Sequence, residues 1–265
     1  MKLHNKTILI TGGTSGIGLE LAEQLLQRGN TVIVTGRDQE KLDAATQALP
    51  GIHAFKSDVS DPGAIAALHD SVLAQFPTLD TLINNAGIMR KLDLNHDRAL
   101  EDVTREIEIN LSGPVRMVQQ FLPHLKTRKA ALIVNVSSGL AFIPFPAAPV
   151  YCATKAAIHS FTQSLRVQLD GTDVTVVELA PPGVETPLFR GEFAEEMKGQ
   201  KGMDVKVLAE RAIAAIEAGR LEIRPGLSNV LKAMSRIAPQ FMLKQVVNMA
   251  RPKMTRPTAK GIPAS

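Results

Sequence analysis

Thr7-Ile8-Leu9-Ile10-Thr11-Gly12-Gly13-Thr14-Ser15-Gly16-Ile17-Gly18 decides how this chain folds. The first five residues are apolar or β-branched and read as a strand. The glycines then allow a tight turn, and residues 16–28 read as a helix that stops at Gly29. A strand, a glycine-rich turn and a helix start bring backbone N–H groups and the positive end of a helix to one point, which suits a pyrophosphate. The spacing is T-G-x-x-x-G-x-G rather than G-x-G-x-x-G, so the reading rests on the flanking strand and helix as much as on the glycines.

The alternation continues outward. Residues 31–35, 52–56, 79–84, 130–136 and 174–180 read as strands, with 221–223 as a short last one. Helices are predicted near 39–49, 62–75, 150–169 and 204–218, with one long helix over 100–125. The 130–136 run is apolar enough to be buried on both faces. Strands separated by helices pair in parallel with helices on both faces of the sheet. The expectation is one α/β, doubly wound, Rossmann-type domain over 1–223. A basic, partly helical extension over 224–265 follows, with disorder expected from about Arg251.

The bulk composition, 45% hydrophobic and 21% charged, is that of a soluble globular protein. No apolar run is long enough to cross a bilayer, and the first residues lack a signal-peptide pattern. Cys152 is the single cysteine, which excludes an intrachain disulfide and fits a reducing cytoplasm. Eight basic residues and no acid follow Ile223, so the net charge of +4 divides into −4 over 1–222 and +8 beyond. The body is not a basic nucleic-acid-binding domain. The six histidines show no ligand spacing, so no metal site is expected.

Tyr151 is the only tyrosine, and Lys155 stands four residues after it. On a helix the two share a face at about 5–6 Å between Cβ atoms. A phenol holds its proton to a pKa near ~10, and a neighbouring ammonium is one of the few groups that lowers it. At the end of the second strand, Thr35-Gly36-Arg37-Asp38 offers a guanidinium where an adenosine ribose arrives, with no acid at Gly36. Arg37 suits a 2′-phosphate, which favours NADP(H); the competing reading has Asp38 hold a 2′-hydroxyl, which favours NAD(H).

Taken together, these motifs resemble the short-chain dehydrogenase/reductase family from Lys6 to about Ile223. Within it the chain looks most like oxidoreductases encoded beside the D-alanyl transfer genes of bacterial cell walls. The resemblance implies that Gly12, Thr14, Ser15, Gly16, Ile17 and Gly18 hold the pyrophosphate. It implies that Asp58 and Val59 meet the adenine, that Asn85, Ala86 and Gly87 of the N-N-A-G motif approach the cofactor, and that Pro182, Gly183, Val184 and Thr186 cover the nicotinamide. Asn84 and Asn85 are also expected to tie adjacent strands. Asn110, Ser138, Tyr151 and Lys155 match the catalytic residues, Ser138 standing thirteen residues before the tyrosine, with Ser137 as the alternative serine.

The implied mechanism moves hydride between nicotinamide and a carbonyl or secondary alcohol. Tyr151 acts as general acid/base, Lys155 lowers its pKa and binds the nicotinamide ribose, Ser138 bonds the substrate oxygen, and Asn110 orders a water beside Lys155. Residues 139–146 and Leu188, Phe189, Phe193 and Met197 are apolar and are expected to line the substrate side, with Arg190 as the one candidate carboxylate binder. A hydrophobic small-molecule carbonyl or alcohol is therefore expected. His159, two helical turns past Tyr151, is read as structural. The alternative is a nucleotide-binding regulatory protein that turns nothing over.

Residues 227–249 carry an apolar stripe interrupted near Pro239 and flanked by cations. The stripe either packs on the body or a second subunit, or lies on an anionic membrane, at the inner face of the cytoplasmic boundary. The resemblance also implies a homodimer or homotetramer built through residues 100–125 and 150–169.

Overall fold

The computed structural model describes residues 2–250. The chain begins β1 (Thr7–Thr11), α1 (Gly16–Gln27), β2 (Thr31–Gly36), α2 (Gln39–Ala48), β3 (His53–Lys56), α3 (Pro62–Gln75) and β4 (Thr81–Asn84). It continues with α4 (Leu100–Ile107), a π-helical segment (Glu108–Ser112), α5 (Gly113–Leu125), β5 (Ala131–Val136), α6 (Pro149–Gln168) and β6 (Val174–Leu179). The last elements are α7 (Pro187–Arg190), α8 (Val205–Glu217), β7 (Glu222–Ile223), α9 (Leu227–Ile237) and α10 (Pro239–Ala250).

All pairings are parallel, in the order β3-β2-β1-β4-β5-β6-β7. Side chains alternate across each strand, and each face is covered by its own helices. Ile8, Ile10, Val32 and Val34 pack with Leu21 and Leu25 of α1, Leu42 of α2 and Ile213 of α8. Leu9, Ile33, Leu82 and Ile133 pack on the other face with Leu68 of α3, Phe121 of α5 and Leu165 of α6. Every residue of β5 is buried, as its continuous apolar run predicts. The order of strand addition reverses between β1 and β4, and a crevice opens at the carboxyl ends of these parallel strands, where open α/β sheets bind ligands.

Four element bounds expected from the sequence are corrected. The long helix over 100–125 is interrupted by the π-helical segment. Pro114 has no N–H to give the carbonyl of Asn110, so the regular ladder cannot pass through this point. The fifth strand starts at Ala131 rather than at residue 130, because Ala130 sits in the left-handed region at φ 54°. The third and fourth strands are shorter than read, since turn hydrogen bonds hold Ile52 to Leu49 and Leu79 to Phe76.

The extension folds back rather than away. Ser228 and Leu231 of α9 lie against Gly139, where an added Cβ would come within 2.8 Å of the Ser228 hydroxyl. Lys232 Nζ bonds Glu222 at 2.7 Å, and Arg224 also pairs with that carboxylate. The disorder expected from Arg251 lies outside the described residues. Among the described residues no helix is long and apolar enough to cross a membrane.

Candidate active site

The carboxyl ends of β1, β2, β4, β5 and β6 border one continuous cavity of about 940 Å³. Its floor is the turn between β1 and α1. Gly12 has φ 66°, and a Cβ there would come within 2.8 Å of Ala86 Cα; a Cβ on Gly18 would meet the Asn85 amide at 2.4 Å. These glycines let the backbone close into a cradle that any side chain would fill. Ser15 precedes α1 without a side-chain capping bond, which leaves first-turn N–H groups for an anion. The residues present fit a dinucleotide.

Asn85 locks this floor by donating to the carbonyls of Thr11 and Gly12, each at 3.0 Å. Thr11 Oγ1 in turn accepts from the Asn85 and Ala86 N–H groups at 3.1 Å. Sequence reasoning passed over Thr11, although it opens the motif. Asn84 donates to Asn135 Oδ1 at 2.9 Å, which ties β4 to β5.

At one end of the cavity stand Arg37, Asp38, Lys41, Asp58 and Val59. Arg37 is exposed, whereas Asp38 accepts the Lys41 N–H at 3.3 Å as the N-cap of α2. A Cβ at Gly36 would meet the Thr14 methyl at 2.9 Å, so no acidic side chain fits that position without moving Thr14. Burial raises the Asp58 carboxyl, but bonds from the Ser60 hydroxyl and N–H, with the Arg37 charge, outweigh it and leave the pKa below the usual value.

Tyr151, Lys155 and Ser138 meet at the centre. Tyr151 and Lys155 lie one turn apart on α6, and both are buried. Lys155 Nζ stands 5.7 Å from the tyrosine ring centroid and donates to Val136 O at 2.9 Å. Burial pushes the phenol up to about 12; a hydrogen bond with Ser138 opposes this, and the nearby Cys152 and Glu106 add to it. Burial alone brings Lys155 down to about 8. The phenol pKa is therefore raised, not lowered as the four-residue spacing leads one to expect. Burial dominates the phenol, and it also lowers the lysine's own pKa.

Ser138 Oγ accepts the Leu140 N–H at 3.1 Å and faces Tyr151. Ser137 is occupied elsewhere, its hydroxyl donating to Glu178 Oε1 at 2.5 Å. Glu178 Oε2 lies 2.7 Å from His159 Nδ1, which makes His159 a packing residue held between a carboxylate and the Phe142 ring. Asn110, fully buried in the π-helical segment, accepts the Ile88 N–H at 2.9 Å and donates to Ile88 O at 2.8 Å and Thr154 Oγ1 at 3.3 Å. Its amide clamps the segment after β4 beside Gly87.

Pro182, Gly183, Val184 and Thr186 line the same cavity. Thr186 caps α7 by accepting the Phe189 N–H at 3.3 Å. Beyond it the cavity is apolar: Ile143, Phe145, Phe189 and Met197 line it as read from the sequence. Phe193 instead packs behind Phe145, with ring centroids 5.9 Å apart, and Phe142 turns toward His159. Arg190 is spent on Glu185, at 2.6 and 2.8 Å. Met89, Leu231, Met242 and Val246 also line the cavity, the last three from the extension, which adds Leu227 and the polar Gln245. Cys152 is buried, and burial pushes its thiol up to about 11, which disfavours the thiolate. Among the described residues no group of His, Cys, Asp and Glu could hold a metal ion.

A family model described as short chain dehydrogenase matches residues 6–197. An uncharacterized oxidoreductase of Bacillus subtilis strain 168, DltE, is 43% identical over 226 residues, covering 84% of this chain and 89% of the relative. A short chain dehydrogenase from Burkholderia cenocepacia in complex with NADP superposes with a TM-score of 0.80 at 24% identity, over 93% of this chain and 99% of that one. A 3-ketoacyl-(acyl-carrier-protein) reductase from Brucella melitensis complexed with NADH gives a TM-score of 0.75 at 27% identity, over 84% and 97%.

Proposed function

The chain belongs to the short-chain dehydrogenase family, and from that premise we propose that it is an NADP(H)-dependent reductase of apolar carbonyl compounds. The observation that carries this reading is the convergence of Tyr151, Ser138 and Lys155 at the junction of a dinucleotide cradle and an apolar chamber. The nicotinamide ring supplies or accepts the hydride when bound. The protein's part is position and protons.

Tyr151, held protonated by burial, gives its proton to the substrate oxygen during reduction. Ser138 donates to that same oxygen as charge develops on it. Lys155 binds the nicotinamide ribose and restores the phenol's proton, and Asn110 fixes the backbone beside Lys155. Arg37 meets a 2′-phosphate at the open end of the cavity; Asp38 is already engaged as a helix cap. The chamber wall of Ile143, Phe145, Phe189, Met242 and Val246 is apolar, with Lys201 and Arg211 elsewhere on the cavity lining, and this wall supports an apolar substrate. Self-association through the exposed faces of α4, α5 and α6 belongs to the same reading.

Oxidation of NADPH followed at equal enzyme against a panel of aliphatic and aromatic aldehydes and ketones tests it. Turnover that increases with apolar chain length is expected; tight NADPH binding with no turnover across the panel would establish the regulatory alternative.

A further inference from the structure

The helix pair α9 and α10 has two apolar sides. Inward, Leu231, Met242 and Val246 close the substrate chamber. Outward, Val230, Ile237 and Phe241 are 51, 78 and 55% exposed, and Leu227 at the chamber rim is 58% exposed. Burying such side chains inward is ordinary, but leaving this many outside on two short helices needs a partner. Arg236 and Lys244 are exposed on the same pair, while Lys232 and Arg224 are bound to Glu222. The sequence continues with Arg251, Lys253, Arg256 and Lys260, and no acid follows Glu222.

We infer that the outer face of the α9–α10 pair docks on an anionic lipid surface and presents the mouth of the chamber to it. The charge pattern selects this occupant. A second copy related by two-fold symmetry would set this face against itself, bringing cations onto cations with no acid to meet them. An anionic bilayer accepts both components, apolar side chains below the headgroups and cations among them. The inference rests on the reductase reading for what the chamber holds, and the lipid surface then becomes the source of an apolar or amphiphilic substrate.

Flotation of the full-length protein with phosphatidylcholine vesicles, with and without phosphatidylglycerol, tests the docking without any turnover. Flotation with the anionic vesicles only, weakened by salt, is the expected result. Ile237→Glu/Phe241→Glu, two residues outside the chamber wall, is expected to lower it by roughly tenfold or more while NADPH binding is kept. Absence of flotation on anionic vesicles overturns the inference, as does flotation unchanged in the double variant. A wild-type oligomer that dissociates in the double variant, with no lipid binding in either, would show that a second copy covers this face. Reductase activity without flotation leaves the enzyme reading standing and removes only the docking.

Discussion

Lys155 Nζ approaches the Tyr151 ring to 5.7 Å but gives its hydrogen bond to Val136 O at 2.9 Å. The four-residue spacing thus delivers proximity, whereas burial sets the protonation states. Raising a phenol from 10.0 to about 12 corresponds to on the order of 3 kcal/mol in favour of the neutral form. A neutral phenol is the form that can give a proton to a carbonyl oxygen, although a raised pKa makes it the weaker acid.

Tyr151→Phe keeps the ring and removes the proton. Carbonyl reduction is expected to fall by about 10²–10⁴-fold, with NADPH affinity within a few-fold of wild type by fluorescence titration. Turnover near wild type in this variant would remove the tyrosine from the chemistry.

Lys155 also leaves a signature in stability. Its pKa is about 8 in the folded protein against 10.5 for the ordinary side chain, so the unfolded chain binds more protons between these values. The contribution of this group to stability therefore rises with pH from about 8 to 10.5, by on the order of 3 kcal/mol, and is lost again as pH falls. Tyr151, raised from 10.0 to about 12, works in the opposite direction only above pH 10. Urea unfolding of cofactor-free wild type and Lys155→Met between about pH 8 and 10 is expected to show the rise in the first protein and not in the second. Parallel curves would mean that Lys155 is not desolvated.

The two adjacent serines should separate cleanly. Ser138→Ala removes a donor at the reacting oxygen, and kcat/KM is expected to drop about 10²-fold with little change in Tm. Ser137→Ala strips a partner from Glu178, which is 2% exposed, and is expected to cost about 1–3 kcal/mol of stability with a smaller effect on kcat. The reverse assignment of these losses would make Ser137 the catalytic serine.

The strand–turn–helix order and the cavity floor were legible because their signals are local: β-branched runs, glycines at fixed offsets, and Pro62 after Asp61 at a helix start. The π-helical segment was overlooked although Pro114 announces it, because a proline beside glycine was read through as part of a long amphipathic run. The Ser137–Glu178–His159 network joins residues 41 and 19 positions apart, and no local pattern specifies such pairs. The extension shows the same limit. Its stripe and its break near Pro239 could be read, but which side faces the chamber is fixed by distant contacts, such as Lys232 with Glu222 and Leu231 against Gly139. Likewise, Phe193 and Phe145 look equivalent in sequence, and only tertiary packing sends one behind the other.

Cofactor choice hinges on the end of β2. Asp38 spends an oxygen on the α2 N-terminus, Arg37 stands exposed at the cavity edge, and Gly36 is held small by the Thr14 methyl. A charge-assisted bond between a guanidinium and a phosphate contributes about 1.5–3 kcal/mol, which is roughly 10- to 150-fold in affinity. Wild type is therefore expected to bind NADPH more tightly than NADH. Arg37→Ala should weaken NADPH by about that factor and leave NADH nearly unchanged, since only NADPH carries the 2′-phosphate. Gly36→Asp is expected to weaken NADPH further by repulsion, but not to create strong NADH binding, because its Cβ must first displace Thr14 from the pyrophosphate turn. Separate fluorescence titrations of the three proteins with each nucleotide measure all of this. A wild-type preference for NADH, untouched by Arg37→Ala, would return the ribose contact to Asp38.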